Sequence, residues 1–424
     1  MQSAACKGQS YFPVFSGYMF MAHSMYLTRP AMIGQSMFMS DIYSFQTVPH
    51  LLFGNGASGQ ITDLIARFAA KRPVLITDKG VVACGLVDQI VQPLRQNGLD
   101  ILVCDQVVAD PPEGIVLDIA EQAIAHKADL VIGLGGGSPM DSAKVISVLA
   151  GPDPQPLAQI YGVGNVTAPR LPLVQIPTTS GTGSEVTCIA ILTTGATTKA
   201  GIVDPALYAD AAVLDPELTR GLPASITAAT GIDAMVHAIE AYTGRLRKNP
   251  ISDTLAIAAL KLLTGNILRA CKDGQNDIAA REAMLRGSML AGQAFANSPV
   301  GAIHALAYPL GGIFHVPHGL SNALVMPHVM RFNLPAAAPL YAELADALNV
   351  KGQGDGMQRA EQFIDYLVTL SQQSGAPQRL RDIDIPYDAL DRLADDAMLQ
   401  TRLLVNNPCE VTRDDARMLY EQAY

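Results

Sequence analysis

The chain has 424 residues, of which 49% are hydrophobic and only 16% charged, with a formal net charge of −10 at neutral pH. That length suits two or three domains with a large core, and the composition excludes a disordered chain. The acidic balance and the lack of a basic run argue against nucleic acid or an anionic membrane as partner.

Residues 1–38 carry five methionines after the initiator (Met19, Met21, Met25, Met32, Met37) and only two charged residues, Lys7 and Arg29. An apolar stretch over 11–22 is broken by Pro13, Ser16 and Gly17, and one lysine is a thin start for a signal peptide. The expectation is a non-native translational extension or a disordered leader, with Met39 as a start; export is the minor alternative. No apolar run is expected to reach transmembrane length. The six cysteines (Cys6, Cys84, Cys104, Cys188, Cys271, Cys409) are scattered, with no C-x-x-C. That pattern predicts a reducing, cytoplasmic setting and no disulfide framework.

From Tyr43 onward the pattern is regular. Residues 45–53 read as a strand, Gly54-Asn55-Gly56 as a turn, and 57–71 as a helix. Residues 73–77 form a short continuous apolar strand, the kind buried on both faces of a parallel sheet, with Asp78 at its end. A helix over 86–97, a strand over 100–104, a helix over 113–126 and a strand over 129–134 follow. This alternation predicts a doubly wound, mostly parallel α/β sheet. After Gly221-Leu222-Pro223 long Ala/Leu/Ile helices replace strands. The expected division is an α/β nucleotide-binding domain over 39–221 and an all-α metal-binding domain over 222–424, with a surface loop and one further helix within 351–378.

Two loops carry phosphate-binding chemistry. Gly135-Gly136-Gly137-Ser138 follows an apolar strand and precedes a helix from Pro139. Glycines let backbone N–H groups approach a ligand, and a helix N-terminus favours an anion. The same arrangement also suits a tight turn with no ligand. Asp78 is placed to accept from an adenosine ribose and to repel a 2′-phosphate, which favours NAD over NADP; its simpler role is to cap a helix before Lys79. Residues 177–185 (Pro-Thr-Thr-Ser-Gly-Thr-Gly-Ser-Glu) pack hydroxyl donors and glycines between apolar runs, and read as a structured second loop.

Asp233 and His237 are four residues apart in an Ala/Ile-rich segment without proline, on one face of a helix. His304 and His318 follow further on, among glycines and apolar residues. One carboxylate and three imidazoles suit a borderline divalent cation, although an Asp/His pair at this spacing also makes an ordinary helix-face hydrogen bond.

Together, Gly135-Gly136-Gly137-Ser138-Pro139-Met140-Asp141-Ser142-Ala143-Lys144, residues 177–187, Asp215-Pro216 with Pro223, residues 231–242 and residues 304–327 resemble the iron-containing (group III) alcohol dehydrogenase family. The resemblance spans about Tyr43 to Tyr424. It implies nucleotide and metal in a cleft between two domains, with the metal on Asp233, His237, His304 and His318. It also implies NAD(P)-linked interconversion of a small alcohol or diol with its aldehyde or ketone, by hydride transfer from a metal alkoxide, usually in a dimer. Iron is the expected ion, and zinc accepts the same ligands. The candidate cofactor contacts are Asp78, Gly135, Gly136, Gly137, Ser138, Asp141, Thr178, Thr179, Thr182, Gly183 and Ser184; by the resemblance, Phe295 looks like a wall of the substrate pocket.

The chain departs from the family pattern where many members read His-Ala-Leu-Ala-His. Here His304-Ala305-Leu306-Ala307-Tyr308 places Tyr308 at a position suited to proton transfer. His315 is an alternative relay or a plain surface histidine. Asn407-Pro408-Cys409 departs again, since arginine commonly follows that proline. Other enzymes of similar architecture give the alternatives: hydroxyacid-oxoacid transhydrogenase, glycerol dehydrogenase and dehydroquinate synthase-type cyclases. The cyclases line their site with basic residues, and segment 225–330 has few.

Overall fold

The computed structural model describes residues 42–195 and 198–424, so the leader expected over 1–38 lies outside the described residues. Among the described residues the strands are β1 (Leu51–Phe53), β2 (Pro73–Asp78), β3 (Leu102–Val107), β4 (Leu130–Gly135), β5 (Gly162–Val163), β6 (Leu173–Pro177), β7 (Ile189–Thr194), β8 (Thr198–Val203) and β9 (Ala211–Leu214). β4, β6 and β9 are buried along their whole length, as continuous apolar runs in a two-sided sheet are. Six strands form a parallel sheet in the order β1-β9-β6-β4-β2-β3. The connections are α1 (Ile61–Ala66), α2 (Lys79–Ala83), α3 (Leu86–Gln96), α4 (Glu113–Ala125), α5 (Gly137–Leu149) and α6 (Leu157–Ile160). α3 turns Val87, Ile90, Val91 and Leu94 inward at helical spacing. This is the doubly wound α/β architecture that the alternation of elements predicts.

The strand order reverses between β2 and β4. β2 leads outward to β3, while β4 lies on its other side and leads on to β6. Crevices at the carboxyl ends of strands around such a reversal hold ligands in open α/β sheets. A second, three-stranded sheet, β5-β8-β7, pairs β7 with β8 as a hairpin. The sequence reading did not separate this hairpin from the loop before it.

Only helices follow β9 among the described residues: α7 (Ala224–Thr243), α8 (Pro250–Asp273), α9 (Ile278–Asn297), α10 (Ala302–Phe314), α11 (His318–Ala347), α12 (Gly356–Gln373), α13 (Leu390–Ala397), α14 (Thr401–Leu404) and α15 (Arg413–Gln422). Their shared core contains Ile232, Leu263, Met284, Leu306, Leu324 and Phe363. α8 corrects one expectation. Its 24 residues include an 18-residue window of mean hydropathy 1.4, long and apolar enough to cross a membrane by composition alone. Asp253 and Lys261 interrupt the run and obscure it in the sequence. In the fold α8 packs against α7 and α9, burying Ala256, Ala259, Leu260, Leu263 and Ile267.

Three further boundaries differ for local reasons. β1 covers only 51–53, because Pro49 lacks an N–H and the partner β9 is four residues long. The helix expected over 57–71 is a 3-10 turn (Ala57–Gln60) followed by short α1. The helix expected from Pro139 begins at Gly137, so Pro139 is its third residue, where a missing N–H costs nothing.

Asp215, 1% exposed, governs the turn at residues 54–60. Its carboxylate accepts from the N–H groups of Gly56, Ser58 and Glu217, each at 3.0 Å, and from Ser58 Oγ at 2.6 Å. It thereby joins the turn after β1 to the end of β9. Asp215→Ala leaves these donors without their acceptor and is expected to cost about 3 kcal/mol, read as a lower urea midpoint by circular dichroism. An unchanged midpoint would show that water replaces the carboxylate there.

Candidate active site

Three helices bring four ligand groups to one point. α7 supplies Asp233 and His237, α10 supplies His304, and α11 supplies His318 as its first residue. One ligand atom from each lies within 4.8 Å of all the others. Asp233 Oδ1 is 4.0 Å from His237 Nε2, 3.7 Å from His304 Nε2 and 3.6 Å from His318 Nε2. Tetrahedral bonds of the usual zinc or iron length separate ligand atoms by roughly 3.4 Å, so the cluster fits a divalent cation after small adjustments. The Asn322 amide nitrogen sits among them, donating to Asp233 Oδ1 at 2.6 Å and lying 3.3 and 3.4 Å from His304 and His318 Nε2. An N–H donor surrounded by three acceptors marks where positive charge belongs.

Close backbone approach makes this geometry possible. Gly319, second in α11, lies against α7, and a Cβ there would overlap the Ala229 carbonyl oxygen. α11 therefore starts in contact with α7 and presents His318 to Asp233.

The imidazoles are oriented from behind. His304 Nδ1 donates to Glu240 Oε2 at 2.6 Å, while Glu240 Oε1 accepts the Ile303 N–H at 2.7 Å. His237 Nδ1 donates to the Gly181 carbonyl at 3.3 Å, and its ring stacks on Phe295 with centroids 4.2 Å apart. Acceptors at Nδ1 fix the tautomer that leaves Nε2 free to ligate. Burial pushes the His237 pKa down to about 4, and that of His318 shifts in the same direction. Both rings are neutral at pH 7, the metal-binding form.

The glycine loops stand at the strand reversal. Gly135 ends β4 at φ 148°, a conformation for glycine, and a Cβ there would lie 2.7 Å from Pro139. Asp78 ends the neighbouring β2. Its Oδ1 caps α2 by accepting the Val81 N–H at 3.0 Å, while Oδ2 faces Gly135. The Thr178 N–H donates to the Gly135 carbonyl at 2.9 Å. Thr179 faces Gly136, and Thr182 lies where a Gly137 Cβ would reach to 2.9 Å. The two loops form one bare-backbone rim, of a shape that suits an anionic group. Asp141 is already engaged: Oδ1 accepts from Ser184 Oγ at 2.6 Å and Oδ2 from the Ile191 N–H at 2.9 Å.

A cavity joins the rim to the ligand cluster. Gly137, Ser138, Asp141, Thr182, Ser184, His237, Phe295, His304, Tyr308 and His318 line it; Asp78, Gly135, Gly136, Thr178, Thr179 and Gly183 lie outside that lining. His315 is not brought to it. It caps the C-terminus of α10 in the left-handed conformation and is exposed. Tyr308 is buried, with its ring 5.8 Å from that of His318. The sequence reading missed Lys199, Asp110 and Arg402 in the cavity wall. They stand on β8, on the loop before α4 and on α14, far from the motifs. Glu240 and Asn322 were missed as well. Glu240 lies one helical turn after His237, and Asn322 one turn after His318, so helical spacing from the ligands is the signal that finds them.

Residues 49–216 match the family model described as iron-containing alcohol dehydrogenase, and residues 227–424 match the Fe-containing alcohol dehydrogenase family, C-terminal. Long-chain-alcohol dehydrogenase 1 of Geobacillus thermodenitrificans is 42% identical over 380 residues, covering 88% of this chain and 94% of that protein. The 1,3-propanediol dehydrogenase of Citrobacter freundii is 36% identical over 382 residues, covering 89% and 98%. The crystal structure of a 1,3-propanediol oxidoreductase superposes with a TM-score of 0.87 at 33% identity, covering 91% of this chain and all of that one. With the ligand cluster at the foot of a cavity that opens onto a glycine rim, this agreement along both halves shows that the chain belongs to the iron-containing alcohol dehydrogenase family, enzymes that interconvert alcohols and aldehydes.

Proposed function

We propose that the chain is a metal- and NAD-dependent dehydrogenase of a small alcohol, with a divalent cation on Asp233, His237, His304 and His318 and the dinucleotide across the strand reversal. The convergence of those four side chains, three of which line one cavity with Tyr308 while Asp233 lies buried behind them, carries the reading. A bound cation supplies a Lewis acid that lowers the pKa of an alcohol hydroxyl, and nicotinamide supplies the hydride acceptor. The chain's own residues orient and shield the reaction. Asp233 offsets positive charge in a buried place. Phe295, Val300, Ile191 and Leu192 form apolar walls that exclude water. Burial raises the Tyr308 pKa, so its hydroxyl keeps its proton at pH 7 and serves as a hydrogen-bond donor to substrate oxygen.

Asp78 supports NAD over NADP through its free Oδ2 beside Gly135. The family supports iron, and the ligand types accept zinc equally. The division at 39–221 and 222–424 is proposed on the change from strands to helices. A cytoplasmic homodimer completes the reading. It rests on the resemblance and, for the compartment, on Cys84, Cys104, Cys188, Cys271 and Cys409 all being free thiols.

Three measurements test this. His304→Ala is expected to lose the ion and alcohol-dependent NAD reduction together, as read by elemental analysis and absorbance of the reduced cofactor; full activity in a metal-free variant would sink the proposal. Glu240→Gln, which weakens the partner of His304 Nδ1, should lower metal affinity roughly 10- to 100-fold in a chelator competition; an unaltered affinity would reduce Glu240 to a packing role. Asp78→Ser should raise the NADP-to-NAD ratio of kcat/KM by about 10-fold or more as like-charge repulsion is removed; an unmoved ratio would assign Asp78 to its helix cap alone.

A further inference from the structure

Arg402 is a cation in the cavity wall with no ion-pair partner among the described residues. It stands on α14, in the helical half, and its guanidinium lies across the cavity against β8, with Nη2 3.4 Å from where a Gly201 Cβ would be. Its side chain also reaches the Tyr308 hydroxyl. The other charges of the wall are compensated. Lys199 Nζ donates to Asp110 Oδ1 at 2.6 Å. Asp110, at φ 51°, is held in place where its carbonyl accepts from Thr193 Oγ1 at 2.8 Å. Asp141 is engaged by Ser184, Lys144 and the Ile191 N–H. The remaining wall is largely apolar and offers Arg402 no counter-charge.

A half-buried guanidinium facing a cavity calls for an anion, and its planar fork matches a carboxylate with two parallel hydrogen bonds. The cavity is also proposed to take a divalent cation and a positively charged nicotinamide, which sharpens the demand. We infer that Arg402, beside Tyr308, is a specificity-determining residue that holds a carboxylate at the far end of the substrate, so that the enzyme prefers a short hydroxy acid and its oxo-acid to a neutral alcohol. This rests on the dehydrogenase reading of the same site. Tyr308 fits the arrangement, since its hydroxyl meets the guanidinium and its ring lies 5.8 Å from that of His318.

The test compares ω-hydroxy acids with n-alkanols of matching length, in wild type and in Arg402→Gln and Arg402→Lys. The expected result is a wild-type kcat/KM at the best length about 10-fold or more in favour of the acid. In Arg402→Gln the acid-to-alkanol ratio should fall roughly 30-fold, mainly through KM. Arg402→Lys should restore part of it, because the charge returns without the fork. Equal wild-type rates on acid and alkanol at every length would overturn the inference, as would an Arg402→Gln ratio equal to that of wild type. Calorimetric binding of butanoate against butanamide, without turnover, separates the two readings. Butanoate binding that depends on Arg402, in a protein that oxidises no alcohol, keeps the anion site and removes the dehydrogenase. Alkanol oxidation with no butanoate binding removes the anion site and keeps the dehydrogenase.

Discussion

A carboxylate that is 2% exposed and shared by three imidazoles sets the terms for the helical half of this protein. A buried charge of that kind is tolerable only when it is compensated. Three helices must therefore meet at Asp233 with their polar groups aimed inward. The small residues follow from that demand. α10 carries Ala302, Ala305, Ala307, Gly311 and Gly312 beside His304, and α11 carries Gly319 beside His318. The large apolar side chains lie further out and form the core that holds the helices together.

The Asp/His cluster and the glycine loops are mechanically one object. The loop after β6 gives its Gly181 carbonyl to His237 and its Thr182 to the glycine rim. Gly183 of that loop contacts Gly292 of α9 at a separation that only glycines allow, and three residues further along α9 Phe295 stacks on His237. β8 adds a second tie, because Lys199 comes close to Gly311 of α10 and to the Tyr308 ring. A shift of the loop after β6 is transmitted directly to the His237 imidazole through the Gly181 carbonyl. The cavity lies between the two, so on the proposed reading the spacing of substrate and cofactor would be governed by these contacts rather than by two independent halves.

Much of this was legible in the sequence, for reasons that can be named. The strand ending in Gly135, the turn and the helix are contiguous, so local pattern reveals them. Asp233 and His237 share a helix face by spacing alone. Asp78 is legible as a strand-end carboxylate, and the structure gives one of its oxygens to the simpler capping role. Lys199, Asp110 and Arg402 were hidden because each is alone in its segment and acquires meaning only when β8, the loop before α4 and α14 meet. His315 shows the converse. It lies three residues from a ligand, but the end of α10 turns it to solvent. Composition also concealed Arg402: the scarcity of basic residues in 225–330 says nothing about a cation delivered from residue 402.

α11 begins without a side-chain cap; Pro317 precedes it and has no side-chain acceptor, so the first N–H groups of the helix lack a capping partner. Such an end carries partial positive charge. That field opposes a cation placed beside His318 and favours negative oxygen in the same place. The fold accepts this electrostatic conflict, and Asp233 answers it with a full negative charge at the same point. The helix end thus discriminates by sign among whatever enters the cavity. A cation on the proposed ligands would therefore be held less tightly when bare than when accompanied by an anionic oxygen.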